Sequence, residues 1–138
     1  MADQALGSEP PRRPPQAPPG AAAGGPDYDR EDVSDNFAGR ARYWRKREKQ
    51  WSHPDALEKA RLFAVSWEDV TDIVAKGAAE TYDRGQMAAL CYGAAADAWI
   101  DHYRAHRQPD RENYELLARE FENAARTVLV RGKLEVSR

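Results

Sequence analysis

Apolar residues along this chain recur with the spacing of α-helices. The most apolar stretch covers residues 86–106, in which Asp97 is the only charged residue between positions 87 and 100. A helix that is apolar on nearly every side is typical of the centre of a helical bundle. Gly93 and the alanines at 94–96 are small, so neighbouring helices are expected to approach closely there. The pattern therefore predicts that this helix forms the middle of the core.

Three further segments show helical periodicity, at about 30–50, 55–84 and 109–131. The spacing over 55–84 is unbroken, which predicts one helix, whereas Ser66 with the acidic residues after it resembles an N-terminal capping box and favours two. No segment shows the alternation of a β-strand. The sequence therefore predicts an all-α, up-and-down bundle of three to four helices.

Residues that start or stop helices punctuate these segments. Ser52 is a predicted N-cap ahead of Pro54, and Gly85 is predicted to end the second helix with a tight turn into the apolar one. Pro109 and Gly132 suit the first position of the last helix and the position just after it. These signals predict short connections between consecutive helices.

The first 26 residues differ in composition from the rest of the chain. They hold seven of the nine prolines, among alanine and glycine. Such a segment cannot bury enough apolar surface to offset the entropy lost on ordering. We predict a disordered tail over 1–26 and a single helical-bundle domain over 27–138. One cysteine, no signal peptide and no apolar run long enough to span a membrane predict a cytoplasmic protein without membrane contact.

Charge is close to balanced overall but uneven locally. The net charge is −2, whereas residues 40–49 hold six bases against one acid. Bases interleaved with Tyr43, Trp44 and Trp51 can contact phosphates while a ring stacks on a nucleobase. The same bases can instead pair with the acidic face predicted for the second helix. The candidate contact residues, for nucleic acid or a protein partner, are Arg40, Arg42, Arg45, Lys46, Arg47 and Lys49.

Motifs that carry enzyme chemistry are absent from the sequence. There is no glycine-rich phosphate loop, nucleophile elbow, CxxC pair or HExxH motif. His102 and His106 are four residues apart, with Asp97 and Asp101 nearby, but a metal site would need further ligands from another helix. The glutamates and ExxH pairs of ferritin-like bundles are missing. We therefore predict no catalytic residue, no cofactor and no metal site.

One pair of residues resembles a known ribonuclease signature. Arg47 and His53, with five residues between them, are similar to the Arg-x4–6-His pattern of the HEPN ribonucleases, which are helical bundles. The resemblance covers two residues and implies an RNA-cleaving site with His53 as the general acid–base. That role needs a positioned phosphate and usually a dimer cleft, so the non-enzymatic interpretation is preferred.

Two residues of the apolar segment invite a chemical interpretation. A carboxylate such as Asp97 must be paired, protonated or turned outward, because burying it alone is costly. We expect one side of this helix to be exposed with Asp97 and Asp101 on it; the alternative is a salt bridge from Asp97 to an arginine of the first or last helix. Cys91 has apolar neighbours in sequence and is predicted to be a small core residue.

The sequence thus predicts a small non-enzymatic regulatory or adaptor protein that acts through protein–protein contacts of its charged helical faces. The alternative is a nucleic-acid-binding accessory protein that uses the basic segment 40–49. An enzyme built on Asp97 and the histidines ranks third. The identity of the partner, the biological process and the oligomeric state do not follow from the sequence.

Overall fold

A computed structural model describes residues 27–136, which form four helices and one pair of very short strands. The helices are α1 (Arg30–Gln50), α2 (Pro54–Lys76), α3 (Arg84–Arg104) and α4 (Gln108–Arg131); the strands are β1 (Tyr28–Asp29) and β2 (Thr81–Tyr82). The predicted all-α bundle is confirmed, with four helices. The predicted tail at 1–26 lies outside the described residues. No helix between residues 27 and 136 is both long and apolar enough to cross a membrane.

The bundle consists of two helical hairpins. Three-residue connections join α1 to α2 and α3 to α4, and each helix packs mainly along its hairpin partner. Large aromatic side chains join the two hairpins. The Trp67 ring on α2 lies 6.0 Å from the Phe37 ring on α1 and 4.3 Å from the Phe121 ring on α4, measured between centroids. All three are buried, so the core runs through both hairpins.

The strand pair fastens the start of α1 to the connection between the hairpins. β1 and β2 are antiparallel, with Tyr28 opposite Tyr82. The Arg30 side chain adds a hydrogen bond of 2.8 Å to the carbonyl of Gly77. The sequence predicts no strand, because alternation cannot be recognised in two residues when the pattern needs at least four.

The second helix is shorter than predicted. The spacing over 55–84 predicts one helix, but α2 ends at Lys76 and Thr81 lies in β2. Gly77 adopts extended backbone, which ends the helix. The helix does continue through Ser66, whose hydroxyl donates to the Leu62 carbonyl at 2.8 Å instead of capping a new helix.

Two predicted helix boundaries are wrong. The N-cap of α2 is His53, not Ser52, and its Nδ1 accepts from the Asp55 amide at 3.2 Å. α3 begins with a capping box in which Asp83 and Gln86 exchange two side-chain-to-backbone hydrogen bonds of 2.8 Å. The box places the glycine at position 85 inside the first turn of α3, not after α2.

The end of α4 agrees with prediction and shows why glycine is needed there. Gly132 has a φ of +77°, the left-handed conformation that other residues avoid. A Cβ at this position would also collide with the hydroxyl of Tyr28. Just beyond, Asn36 of α1 donates to the Leu134 carbonyl at 3.3 Å and accepts from its amide at 2.8 Å, which fixes the chain end against α1.

The expectation that α3 occupies the middle of the core is wrong. Only one face of α3 is buried, through small or slender side chains such as Cys91 and Ala95, while Tyr92, Gly93 and Ile100 are exposed. A Cβ built on Gly93 would have no neighbour within 4 Å. The low polarity of this segment comes from alanine and glycine, which contribute little apolar area to bury. Asp97 and Asp101 lie on the exposed side, as expected.

Candidate functional site

A groove of about 1000 Å³ lies between α2 and α3. One wall consists of α2 residues at successive helical turns. They are Leu62, Val65, Ser66, Asp69, Val70 and Ile73. The other wall is the exposed side of α3, and Leu117 and Phe121 of α4 lie at the bottom. The feature is therefore a long trough bounded by two helices and floored by a third.

Small residues on α3 explain why the trough is open. Ala89, Gly93 and Ala94 face it, and their side chains are too short to reach α2. Because α2 and α3 belong to different hairpins joined by a seven-residue connection, no tight turn draws them together. The space that a large residue would fill is left to solvent.

Branched apolar side chains stand exposed along the trough. Val65 is 40% exposed, Ile73 58% and Ile100 47%, and all three line the walls. Single exposed apolar residues are common on protein surfaces, whereas a concave cluster of them marks an interaction site.

The trough is bordered by negative charge. Asp69 lies on the α2 wall and Asp97 and Asp101 on the α3 wall, against the single base Arg104. The structure gives none of the three carboxylates a hydrogen bond or salt bridge with another residue of 27–136. At the end of the trough, burial raises the pKa of Tyr114, and the charges of Asp101 and Asp110 raise it further.

Half of the basic residues predicted as a contact site are engaged within the protein. Arg45 donates to both carboxylate oxygens of Glu68 at 2.8 Å and to Glu48 at 3.0 Å, and Glu48 also accepts from Arg61 at 2.7 Å. The hydrogen bonds to Glu68 and Glu48 raise the pKa of Arg45. The hydrogen bonds from Arg45 lower the pKa of Glu68. The hydrogen bonds from Arg61 and Arg45 lower the pKa of Glu48. The predicted pairing of this segment with the acidic face of α2 is present at Glu68.

The aromatic residues of the segment are engaged as well. The guanidinium groups of Arg40 and Arg47 each lie 4.7 Å from the centre of the Tyr43 ring, a cation–π distance. Trp44 is buried and its indole donates to Glu120 at 2.9 Å. Neither ring is free to stack on a nucleobase in this conformation.

Three of the six predicted contact residues remain available. Arg42, Lys46 and Lys49 are exposed, and their side chains have no hydrogen bond or salt bridge within the described part of the chain. Their spacing of four and three residues places them on one face of α1. The structure thus separates the predicted site into an internal half, formed by Arg40, Arg45 and Arg47, and an external half.

The sequence did not predict a polar cluster that lies where the two hairpins meet. One oxygen of Glu120 on α4 accepts from Arg40 Nε at 2.7 Å and from the indole nitrogens of Trp44 at 2.9 Å and Trp67 at 3.2 Å. The carboxylate therefore joins α1, α2 and α4. Its position, three residues after the buried Leu117, is the signal that could have indicated an inward-facing side chain.

The histidines do not assemble a site among residues 27–136. The Nδ1 of His102 lies 2.7 Å from the carbonyl oxygen of Arg111, and His106 lies beyond the end of α3, off the helical face it was predicted to share. No three His, Cys, Asp or Glu side chains of the described ranges converge as metal ligands. His53 caps α2 and Arg47 contacts Tyr43, so each member of the ribonuclease-like pair has a structural contact.

Cys91 lies in the core, where burial raises the pKa of its thiol to about 12. Its thiolate is therefore scarcely populated near neutral pH, as expected for a structural cysteine.

Comparisons of this chain with protein-family models, with curated proteins and with solved structures find no match.

Proposed function

We propose that this chain is a non-enzymatic adaptor, and that the trough between α2 and α3 holds a helix of its protein partner. The observation that carries the proposal is the set of exposed branched side chains, Val65, Ile73 and Ile100, lining a concave site that is open at Gly93. Grooves of this kind bind the apolar face of an amphipathic helix. In this proposal the charged helical faces, which the sequence predicts as contact surfaces, lie at the border of the partner-binding trough instead of forming the contact itself.

The dimensions of the trough support a helical occupant. Its α3 wall runs from Gln86 to Arg104, about 27 Å at 1.5 Å per residue. The trough is therefore long enough for about five turns of a helix. A partner helix of about 18 residues would fill it without rearrangement of the bundle.

A cytoplasmic location belongs to the same proposal. Its support is the single buried cysteine, which is compatible with a reducing compartment and offers no disulfide partner within the sequence.

The proposal can be tested with a substitution that blocks the trough and leaves the core unchanged. Gly93→Trp places an indole in the open space, and Val130→Trp places one on an exposed position of α4 outside the trough. Both variants should melt close to the wild type. We expect affinity capture from nuclease-treated native lysate to recover the same partner with wild type and with Val130→Trp, and to lose it with Gly93→Trp. Retention of every partner by Gly93→Trp would refute the trough as the binding site.

A second candidate function is contact with nucleic acid. Its support is the exposed face of Arg42, Lys46 and Lys49, which has no internal partner among the described residues. Arg45, which sequence reasoning would have grouped with them, is held by Glu68 and belongs to the fold.

Salt dependence tests this second candidate. Three phosphate contacts predict a log–log slope of affinity against salt of roughly −2.7 on duplex DNA. Changing Arg42, Lys46 and Lys49 together to Ala should remove binding equally on unrelated sequences, because phosphate contacts carry no base information. A folded wild type that shows no retention on DNA at low salt would eliminate this function.

A further inference from the structure

We infer that the helix held in the trough is basic along its flanks as well as apolar along its face. The inference rests on the proposed function and adds the chemistry of the partner. It is carried by the charges that border the trough, where three carboxylates on two walls stand against one guanidinium.

The position of the carboxylates matters as much as their number. Asp97 and Asp101 are one helical turn apart on the α3 wall, and Asp69 lies on the opposite wall. A helix lying between the walls would therefore have negative charge on both sides. Lysine and arginine suit such flanks because their aliphatic stems can cover the apolar walls while the charged ends reach the carboxylates at the border.

These carboxylates are available for a partner. Glu68, the sequence neighbour of Asp69, is already occupied by two hydrogen bonds from Arg45. On α4, Glu122 accepts from the indole of Trp99 at 2.9 Å. In contrast, the carboxylates of Asp69, Asp97 and Asp101 have no hydrogen bond or salt bridge within residues 27–136. An uncharged or acidic helix would leave them unpaired and partly dehydrated, which disfavours its binding.

A second copy of the chain fits this site less well. The exposed bases of α1 stand beside an apolar stripe that is buried in the protein's own core, so α1 has no apolar ridge to offer. Docking through α3 of a second copy would bring two sets of Asp97 and Asp101 into one interface with only one Arg104 from each copy. Electrostatics therefore favours a different protein that carries a basic amphipathic helix.

The test uses the full chain and three synthetic 18-residue peptides of known composition. Two share a leucine stripe at helical spacing and differ only in having lysine or glutamate at the flanking positions. The third is a scrambled version of the lysine peptide without the stripe. Fluorescence anisotropy at low salt should show the lysine stripe peptide binding at least tenfold more tightly than the glutamate peptide, a difference that several border ion pairs can supply. The scrambled peptide should also bind at least tenfold more weakly, since it lacks the apolar ridge.

Substitutions in the protein test whether the carboxylates that border the trough cause this difference in peptide affinity. Asp97→Asn combined with Asp101→Asn should weaken the lysine stripe peptide about fourfold and leave the glutamate peptide no weaker. The matched control is Asp32→Asn with Asp35→Asn, which removes two exposed carboxylates of α1 outside the trough and should leave the affinity unchanged. Gly93→Trp should abolish binding of the lysine stripe peptide.

Each failure has a distinct meaning. Equal binding of the lysine and glutamate stripe peptides would overturn the inference and leave the proposed function standing. Equal binding of the scrambled peptide would show bulk charge attraction and overturn the inference. No binding of either stripe peptide would overturn both. A wild-type dimer in sedimentation that Gly93→Trp dissociates would identify the occupant as a second copy and overturn the inference.

Discussion

The two sides of α2 meet their neighbours in opposite ways. On one side Trp67 fills the space to α1 and α4, and its indole nitrogen bonds to Glu120. On the other side Val65 and Ile73 face small residues of α3 across open space. Both sides are apolar, so hydropathy does not distinguish them. The size of the side chains that face α2 distinguishes the two sides, because only large side chains can bridge helices that the backbone holds apart.

The largest loss of stability is expected from removing the large side chain that fills the space between α2 and its neighbours α1 and α4. Trp67→Ala removes a fully buried ring between the hairpins and should destabilise the protein by about 3–5 kcal/mol. Urea unfolding measures the change, and the variant is expected near the limit of stability of a small domain. Tyr103→Ala, at a position 77% exposed on α3, is the control and should change stability by less than about 0.5 kcal/mol. A Trp67 variant as stable as the control would contradict the core as described.

The second-largest loss of stability is expected at the polar cluster around Glu120, on the same side of α2. Glu120→Ala leaves two indole N–H groups and the Arg40 side chain without their acceptor, at a cost of about 2–4 kcal/mol. Glu115→Ala on the same helix removes only an exposed ion pair with Arg119 and should cost less than about 0.5 kcal/mol. Chemical unfolding of the two variants side by side separates the roles, and equal costs would show that the Glu120 contacts contribute nothing beyond surface charge.

The exposed and buried faces of α3 should respond differently to an added leucine. Gly93→Leu meets no neighbour and replaces a helix-interior glycine, so it should be neutral or stabilising by up to about 1 kcal/mol. Ala95→Leu, two residues later on the buried face, should destabilise by about 1–3 kcal/mol through overpacking. Thermal melting of both variants tests the contrast. Destabilisation by Gly93→Leu would mean that the trough is closed in solution.

These contrasts show how far the sequence could predict the molecule. Helical spacing gave the class of fold and, at 30–50 and 109–131, nearly the observed limits of α1 and α4. It failed at α3 because alanine and glycine satisfy an apolar pattern without supplying the bulk that a core requires. It also failed at Thr81, where one residue at the right spacing belonged to a strand of two residues.

The candidate site was less predictable than the fold. The bases at 40–49 were recognisable as a charge cluster, but their partners come from other helices: Glu68 lies 23 residues from Arg45, and Glu120 lies 80 residues from Arg40. Such pairing depends on how the hairpins are assembled. The trough has the same origin, since it lies between α2 and α3, which the periodicity of either helix alone cannot position. Asp97 was the best pointer to it, as a charge on an otherwise apolar segment.

The smallest predicted effect concerns pH and the ion pairs at the edge of the filled side. The pKa of Glu68 in the folded protein is lowered by its hydrogen bonds from Arg45, so the unfolded chain binds more protons there. The resulting stability is fully present above about pH 4.5 and is lost as the pH falls through the lowered folded pKa. Melting temperatures of wild type and Glu68→Gln should therefore differ slightly at pH 7 and converge at lower pH. The pair is exposed, so its contribution should stay below about 1 kcal/mol and shrink in 0.5 M salt. A difference between wild type and variant that grows on acidification would reverse the sign of this linkage and show that folding raises the pKa of Glu68 instead of lowering it.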